Sequence, residues 1–233
     1  MFISQTLNNC GPASVAEVLD FLGLHRTQAQ VAQVLRPNLP AYGMSLAGVP
    51  FYAESLGMRT VEGVGASDTL VKTFVANGLP VIVSDLVSRQ EPIRHFRPID
   101  GYDDGAGYFI GSDPYLGPNH RISYADFDDL WQISGGRFVV LYPPDRQPLV
   151  DAIMASYDRA SAYQQALAKA ELRAAQQPRL AWSWMDLADS QIELGQLSAA
   201  SRSVQQAAQL GLPFESHWLQ LKLQRATSGT AAA

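Results

Sequence analysis

Val15, Val18, Leu19 and Leu22 recur at three- and four-residue spacing, which predicts a helix with one buried stripe. Pro12 suits its first turn, where a missing N–H costs nothing, and Gly23 supplies a left-handed stop. Thr27 predicts the cap of a short helix over 28–35, ended by Pro37 and Pro40. Ser45 predicts the cap of another, running through Leu56 to a stop at Gly57. Met58 to Val64 reads as a strand. Asp68 predicts the cap of a helix carrying Leu70, Val71, Phe74 and Val75 to Gly78, and Pro80 opens a buried strand, Val81-Ile82-Val83. Strands with Gly and Asp turns then follow at 94–102, 108–113, 119–124 and 137–142, broken by a short helix from Asp126 to Trp131. Helices first and mostly antiparallel strands afterwards predict an α+β domain over residues 1–145.

Pro143-Pro144-Asp145 and Pro148 mark a boundary. Beyond it the chain is rich in Ala, Gln and Leu and carries no strand pattern. Trp184-x-x-Leu187 recurs as Trp218-x-x-Leu221, an offset of 34 residues, with Gly195 at the turn between helices and Ala200, Val204 and Pro213 at matching places. One unit earlier, Tyr157, Ala166 and Pro178 fall at or near equivalent positions. This resembles the tetratricopeptide repeat, a pair of helices, over an all-α segment at 150–228. A plain helical bundle or dimerisation arm is the alternative. So few repeats leave an apolar face uncovered, so they are expected to dock on the first domain, a second copy or a protein partner.

The 233 residues suit one large domain or a medium and a small one; 47% are hydrophobic and 17% charged, an ordinary globular composition. A net charge of −5 without a Lys/Arg cluster argues against nucleic acid as the partner. No apolar run approaches the ~18 residues that span a bilayer. Met1-Phe2-Ile3-Ser4 lacks the regions of a secretory signal and reads as a processed or trimmed start. An extracytoplasmic protein whose export signal is missing from this chain, or otherwise a cytoplasmic one, both fit. One cysteine permits no internal disulfide, and no His/Cys/Asp cluster has metal-ligand spacing, so neither metal nor cofactor is expected.

That cysteine, Cys10, stands at the predicted start of the first helix, where unpaired N–H groups and aligned peptide dipoles favour a thiolate. A buried structural thiol is the plainer reading. A nucleophile needs a base, a group orienting that base, and donors for the oxyanion. Of the four histidines, His25 in a turn and His217 in the helical tail read as surface residues. His95 enters a strand that turns at 103–107 and returns to Asp113-Pro114. Positions 95 and 113 average to 104, inside the turn, so the two are expected roughly opposite, with Cβ atoms about 5 Å apart. His120, in a plausible edge strand with no paired carboxylate, is the weaker rival. Gln5 can add a side-chain amide to the Cys10 N–H as oxyanion donor. Asp100, Asp103 and Asp104 read as a solvated hairpin end, with a weak cation site conceivable.

Gln5, Cys10-Gly11-Pro12-Ala13, His95 with Gly101-Tyr102-Asp103, and Asp113-Pro114 together resemble the papain-like cysteine peptidases of the bacteriocin-processing (double-glycine leader) type, over about residues 3–143. The resemblance implies a papain-like fold, with the cysteine helix packed on an antiparallel sheet that bears the histidine. It implies Cys10 as nucleophile, His95 as general base and then acid, Asp113 as the orienting residue and Gln5 as oxyanion donor, acting on a peptide or protein substrate. The helical repeats suggest a stand-alone protein rather than the transporter-linked type. Acyl transfer to an amine by the same residues, and a catalytically dormant peptide-binding module, are the competing functions.

Overall fold

The computed structural model describes residues 2–37, 43–91 and 93–231; Met1 and Pro40 lie outside them. The stripe Val15, Val18 and Leu19 is buried along α1 (Cys10–Phe21), and Gly23 adopts φ 82° just past its end. Thr27 caps α2 (Gln28–Leu35) in a reciprocal pair with Gln30. Ser45 caps only a 3-10 turn, Leu46–Gly48, and α3 (Val49–Ser55) follows it instead of one long helix. Pro50 accounts for the difference. Lacking an N–H, it cannot bond back to Leu46, so an α-helix from 46 would lose a rung. After β1 (Arg59–Gly63), α4 (Asp68–Ala76) is capped by Ser67 rather than Asp68, whose carboxylate falls in the first turn and faces the positive helix end.

The sheet adds β2 (Val81–Leu86), β3 (Arg94–Asp103), β4 (Tyr108–Asp113) and β5 (Gly117–Ser123); after α5 (Tyr124–Gln132) comes β6 (Arg137–Tyr142). Its six strands lie in the order β1-β6-β2-β3-β4-β5, every neighbour antiparallel. Ile82, Phe96, Val139 and Leu141 face one core with residues of α1 to α3. Val81, Val83, Phe138 and Val140 face a second core with α4, α5 and α6 (Gln147–Met154). Covered on both faces, β2 and β6 need no polar alternation, which explains the unbroken runs Val81-Ile82-Val83 and Phe138 to Leu141. The fold is the expected α+β sheet domain followed by a helical segment.

That segment comprises α7 (Arg159–Gln176), α8 (Ala181–Glu193), α9 (Leu197–Gln209) and α10 (Pro213–Ala231), each packed on the next. It docks on the first domain. Ala181, Met185, Ala188, Trp218 and Leu219 share one core with α1 to α3. A Cβ on Gly48 would lie 2.8 Å from Cε2 of Trp218, so only glycine lets the indole approach. Beside this apolar seam lies a nearly dry ion network. Asp186 of α8 pairs with Arg94 (2.7 Å), Arg137 (3.2 Å) and Arg173 (3.1 Å). Asp189 pairs with Arg137 and Lys222, and Lys222 also reaches Glu62 of β1 at 2.7 Å. Charges this buried are costly unless matched, so the network favours one docked register over others. No described helix is long and apolar enough to cross a membrane.

Candidate active site

Cys10 is the first residue of α1 and is 8% exposed. The loop leading to it turns at Asn8, whose φ of 55° is left-handed, a conformation asparagine tolerates. Asn9, at the cap position, makes no side-chain bond to the first turn; its Nδ2 donates to Oε1 of Gln28 at 2.7 Å instead. The same Gln28 accepts the Thr6 N–H at 2.9 Å and donates to the Ser4 carbonyl at 2.8 Å. Arg36 donates to the carbonyls of Asn8 (2.6 Å) and Leu7 (3.3 Å). Gln28 at the start of α2 and Arg36 just past its end thus fix the backbone that presents the sulfur. A Cβ on Gly11 would meet Met44 at 2.7 Å, so the helix start is packed closely there.

His95 lies at the beginning of β3 and is 2% exposed. Its Nε2 is 3.0 Å from Oδ1 of Asp113, and the ring lines the same cleft as Cys10. With Nε2 committed to the carboxylate, Nδ1 is the nitrogen left for the sulfur. Burial works against the imidazolium, but the bond to Asp113 and the neighbouring Cys10 outweigh it and raise the His95 pKa to about 9. Asp113 is buried too, which favours its neutral form; the bond from His95, the charges of His95 and Arg97, and the Leu116 N–H more than offset that and hold it well below the usual carboxylate range. Its Oδ1 also accepts the N–H groups of Tyr115 and Leu116, both at 2.8 Å.

Residues 95 and 113, expected roughly opposite, meet two residues out of direct register. Ile99 pairs with Gly111, and a bulge at Asp100 shifts the register from Gly101–Ile110 onward. Continuing outward by two residues puts Arg97 opposite Asp113 and leaves His95 as the diagonal neighbour, still within side-chain reach. Arg97 is the residue that sequence reasoning missed. Its Nη1 is 3.0 Å from Oδ2 of Asp113, and its Nε is 2.8 Å from Oδ2 of Asp85 on β2, all three groups being buried. These are ion pairs rather than aligned hydrogen bonds; the better aligned bond runs from Arg97 Nη2 to the Leu86 carbonyl at 2.9 Å. Burial raises Asp85 to about 6 against the pull of Arg97. A spacing of two between His95 and Arg97 was the available signal, since it places both on one strand face.

Gln5 is tied to the turn after Asp113 by its N–H, 2.9 Å from the Pro114 carbonyl. Its Oε1 is buried without a partner, and the residue lines the same cleft as Cys10 and His95. His120 stands on β5 opposite Gly111 and has no hydrogen bond to Asp113 or Cys10 among the described residues; burial, then Arg97, lowers its pKa. His25 pairs with Asp20 at the surface and His217 stacks on Phe214. Asp104 is bonded to Lys72 (2.6 Å) and Tyr124, Asp103 to the Ala106 N–H, and Asp100 to Ser112 (3.0 Å). Among the described residues no group of three His, Cys, Asp or Glu could hold a metal ion.

Cys10 and His95 open into a cleft of about 990 Å³. A thiol, an imidazole and an ionised carboxylate in series, with helix N–H groups at hand, can perform nucleophilic acyl chemistry. Residues 1–139 match the sequence profile of the Peptidase_C39 like family. Among solved structures, a protein described as a C39-like peptidase from Bacillus anthracis has a TM-score of 0.53 at 16% identity, covering 61% of this chain and 94% of that one. A double glycine motif protease from an AMS/PCAT transporter, in complex with its leader peptide, has a TM-score of 0.46 at 20% identity, covering 61% and 91%. The first of these likenesses is one of fold. No curated protein matches the chain.

Proposed function

Because the chain belongs to the Peptidase_C39 like family, we propose that it is a cysteine peptidase that hydrolyses peptide bonds with Cys10 as nucleophile. The observation that carries this reading is the buried His95 ring, bonded to Asp113 and lining one cleft with Cys10. With His95 raised to about 9, the ring beside Cys10 is an imidazolium at neutral pH. The sulfur attacks the substrate carbonyl, and the oxyanion takes hydrogen bonds from the Gln5 amide and the Cys10 N–H. The imidazolium protonates the leaving amine, and the neutral ring then removes a proton from the water that releases the acyl group. Asp113 stays ionised throughout and orients the ring.

The 34-residue recurrence and the packing of each helix on the next support reading α7 to α10 as tetratricopeptide-like, a 150–228 unit after a 1–145 peptidase unit. Two measurements test the function. Cys10→Ala is expected to abolish cleavage of a peptide library, and iodoacetamide at neutral pH is expected to label native Cys10 far faster than a free thiol. Cleavage that survives Cys10→Ala, or ordinary labelling, overturns it. Product masses with and without an added amine distinguish water from an amine as the acyl acceptor.

A further inference from the structure

We propose that the junction of α7 and α8 forms a wall of the substrate cleft, and that Leu180 and Trp182 there select peptides with a large apolar side chain. The cleft that contains Cys10 and His95 is bounded on the helical segment by Arg173, Gln177, Leu180 and Trp182. Trp182 touches both halves of the site. The guanidinium of Arg94, the residue before His95, lies 5.1 Å over its ring. A Cβ on Gly43 would meet its Cζ2 at 3.7 Å, and Met44, next in sequence, packs on Gly11 beside Cys10. The helical segment therefore reaches the reacting groups through the strand of the base and the segment behind the nucleophile.

The chemistry of the wall is apolar. Arg94 and Arg173 line the cleft, but Asp186 holds both, leaving Glu91 as its charged group without an ion-pair partner among the described residues. Of nine large apolar residues exposed among the described residues, five line this cleft: Leu7, Ile93, Tyr115, Ile133 and Leu180. Such residues scatter singly on an ordinary surface, and their concentration in one concavity marks a binding surface. A volume of about 990 Å³ admits several residues of extended peptide. The occupant is an uncharged stretch of peptide substrate, with an aliphatic or aromatic side chain against Leu180 and Trp182.

The inference rests on the peptidase reading for what happens to the bound peptide, but not for the binding. Its test uses the full chain as Cys10→Ala, with fluorescent octapeptides of glycine and serine that vary at one central position. Leu and Phe peptides are expected to bind at least about tenfold tighter than Asp peptides, the scale on which apolar pockets discriminate. Leu180 is the cap residue of α8, where aspartate is favourable, so Leu180→Asp is expected to keep the helix. Added to Cys10→Ala, it is expected to remove the apolar preference and favour Lys peptides; a thermal melt confirms folding. Binding that ignores the central residue, absent binding, or a folded Leu180→Asp protein with the original preference overturns the wall. Iodoacetamide labelling of the unsubstituted chain is read separately. An unreactive Cys10 together with an apolar preference that depends on Leu180 defeats the peptidase reading and leaves the wall standing.

Discussion

His95 and Asp113 are bonded at 3.0 Å although they are not cross-strand partners. Arg97 occupies the position opposite Asp113, so one carboxylate serves an imidazole through Oδ1 and a guanidinium through Oδ2. Two backbone N–H groups complete Oδ1, and the carboxylate has little freedom to turn. This rigidity fixes the ring that faces Cys10.

Asp113→Asn keeps the shape and removes the charge that favours the imidazolium. We expect kcat to fall by about 10²–10⁴, the range seen when such an orienting carboxylate is lost. The alkaline limb of kcat/KM is expected to move down from about pH 9 toward the ordinary histidine value of 6.5. Steady-state rates across pH check both, and an unmoved alkaline limb would show that Asp113 does not act through His95.

Gln5→Ala separates oxyanion binding from nucleophile activation. Losing one preorganised donor typically lowers kcat about 10²–10³-fold. KM is expected to change little, and Cys10 alkylation by iodoacetamide to keep its rate, since alkylation forms no oxyanion. A parallel loss of both rates would place Gln5 in the loop's architecture instead.

Arg97→Leu leaves Asp85 and Asp113 buried without their cation. Breaking a buried pair from one side costs about 3–5 kcal/mol. Asp85→Asn in addition removes one stranded charge and is expected to restore part of that loss. Urea unfolding of the two variants measures it; equal stabilities would mean that Asp85 does not depend on Arg97.

Local signals were the legible ones. Gly23, Gly57 and Gly78 end helices at positive φ, and Thr27 caps the helix it heads, because each acts within a turn of its own position. Cys10 at a helix start and His95 at a strand start were readable for the same reason. The contact between His95 and Asp113 was reachable by hairpin arithmetic only approximately, since the bulge at Asp100 alters the register with no residue type that announces it. Asp85 and Arg97 escaped because charged residues inside a strand ordinarily face water, and only the paired strand shows that they meet diagonally across β2 and β3. The helical segment was recognisable by its recurrence, but Trp184 and Trp218 sit differently. Trp218 is buried against Gly48 and Phe51, while Trp184 is half-buried beside Leu167 of α7. Periodicity places such residues on a helix face and says nothing of what will cover it.

Glu17 of α1 supplies a pH-dependent term. It is 3% exposed, its Oε1 accepts the Ile3 N–H at 2.6 Å, its Oε2 has no hydrogen-bond partner among the described residues, and burial raises it from 4.5 to about 8. Because the folded pKa lies above the unfolded one, the favourable contribution is complete below about 4.5 and is lost as pH rises through 8. His95, raised from 6.5 to about 9, acts in the same direction over a higher window. Stability is therefore expected to decline from about pH 4.5 to about pH 9, most steeply between 6.5 and 8, where the two windows overlap. Glu17→Gln removes the charge, and its stability relative to the unsubstituted chain should rise by about 3 kcal/mol from pH 6 to pH 9, since two pH units of that span lie below the folded pKa of about 8. Melts at pH 6 and pH 9 check this, and an advantage that is the same at both would rule out titration of Glu17.

Asp186 tests how the two parts of the molecule are held. Three arginines from β3, β6 and α7 converge on it, so Asp186→Ala strands Arg94 and Arg173 at a nearly dry seam and leaves Arg137 to Asp189. The apolar contacts of Trp218 and Leu219 remain, which argues for loosening rather than complete release of the segment. We expect a loss of about 3–5 kcal/mol and faster amide hydrogen exchange across α7 and α8 than across β2 and β6, whose two-faced burial is untouched. Arg94 would also lose its restraint beside His95, so peptide turnover should fall further than global stability alone explains. Uniform acceleration of exchange through the sheet and the helices would show instead that the seam and the sheet unfold as one unit.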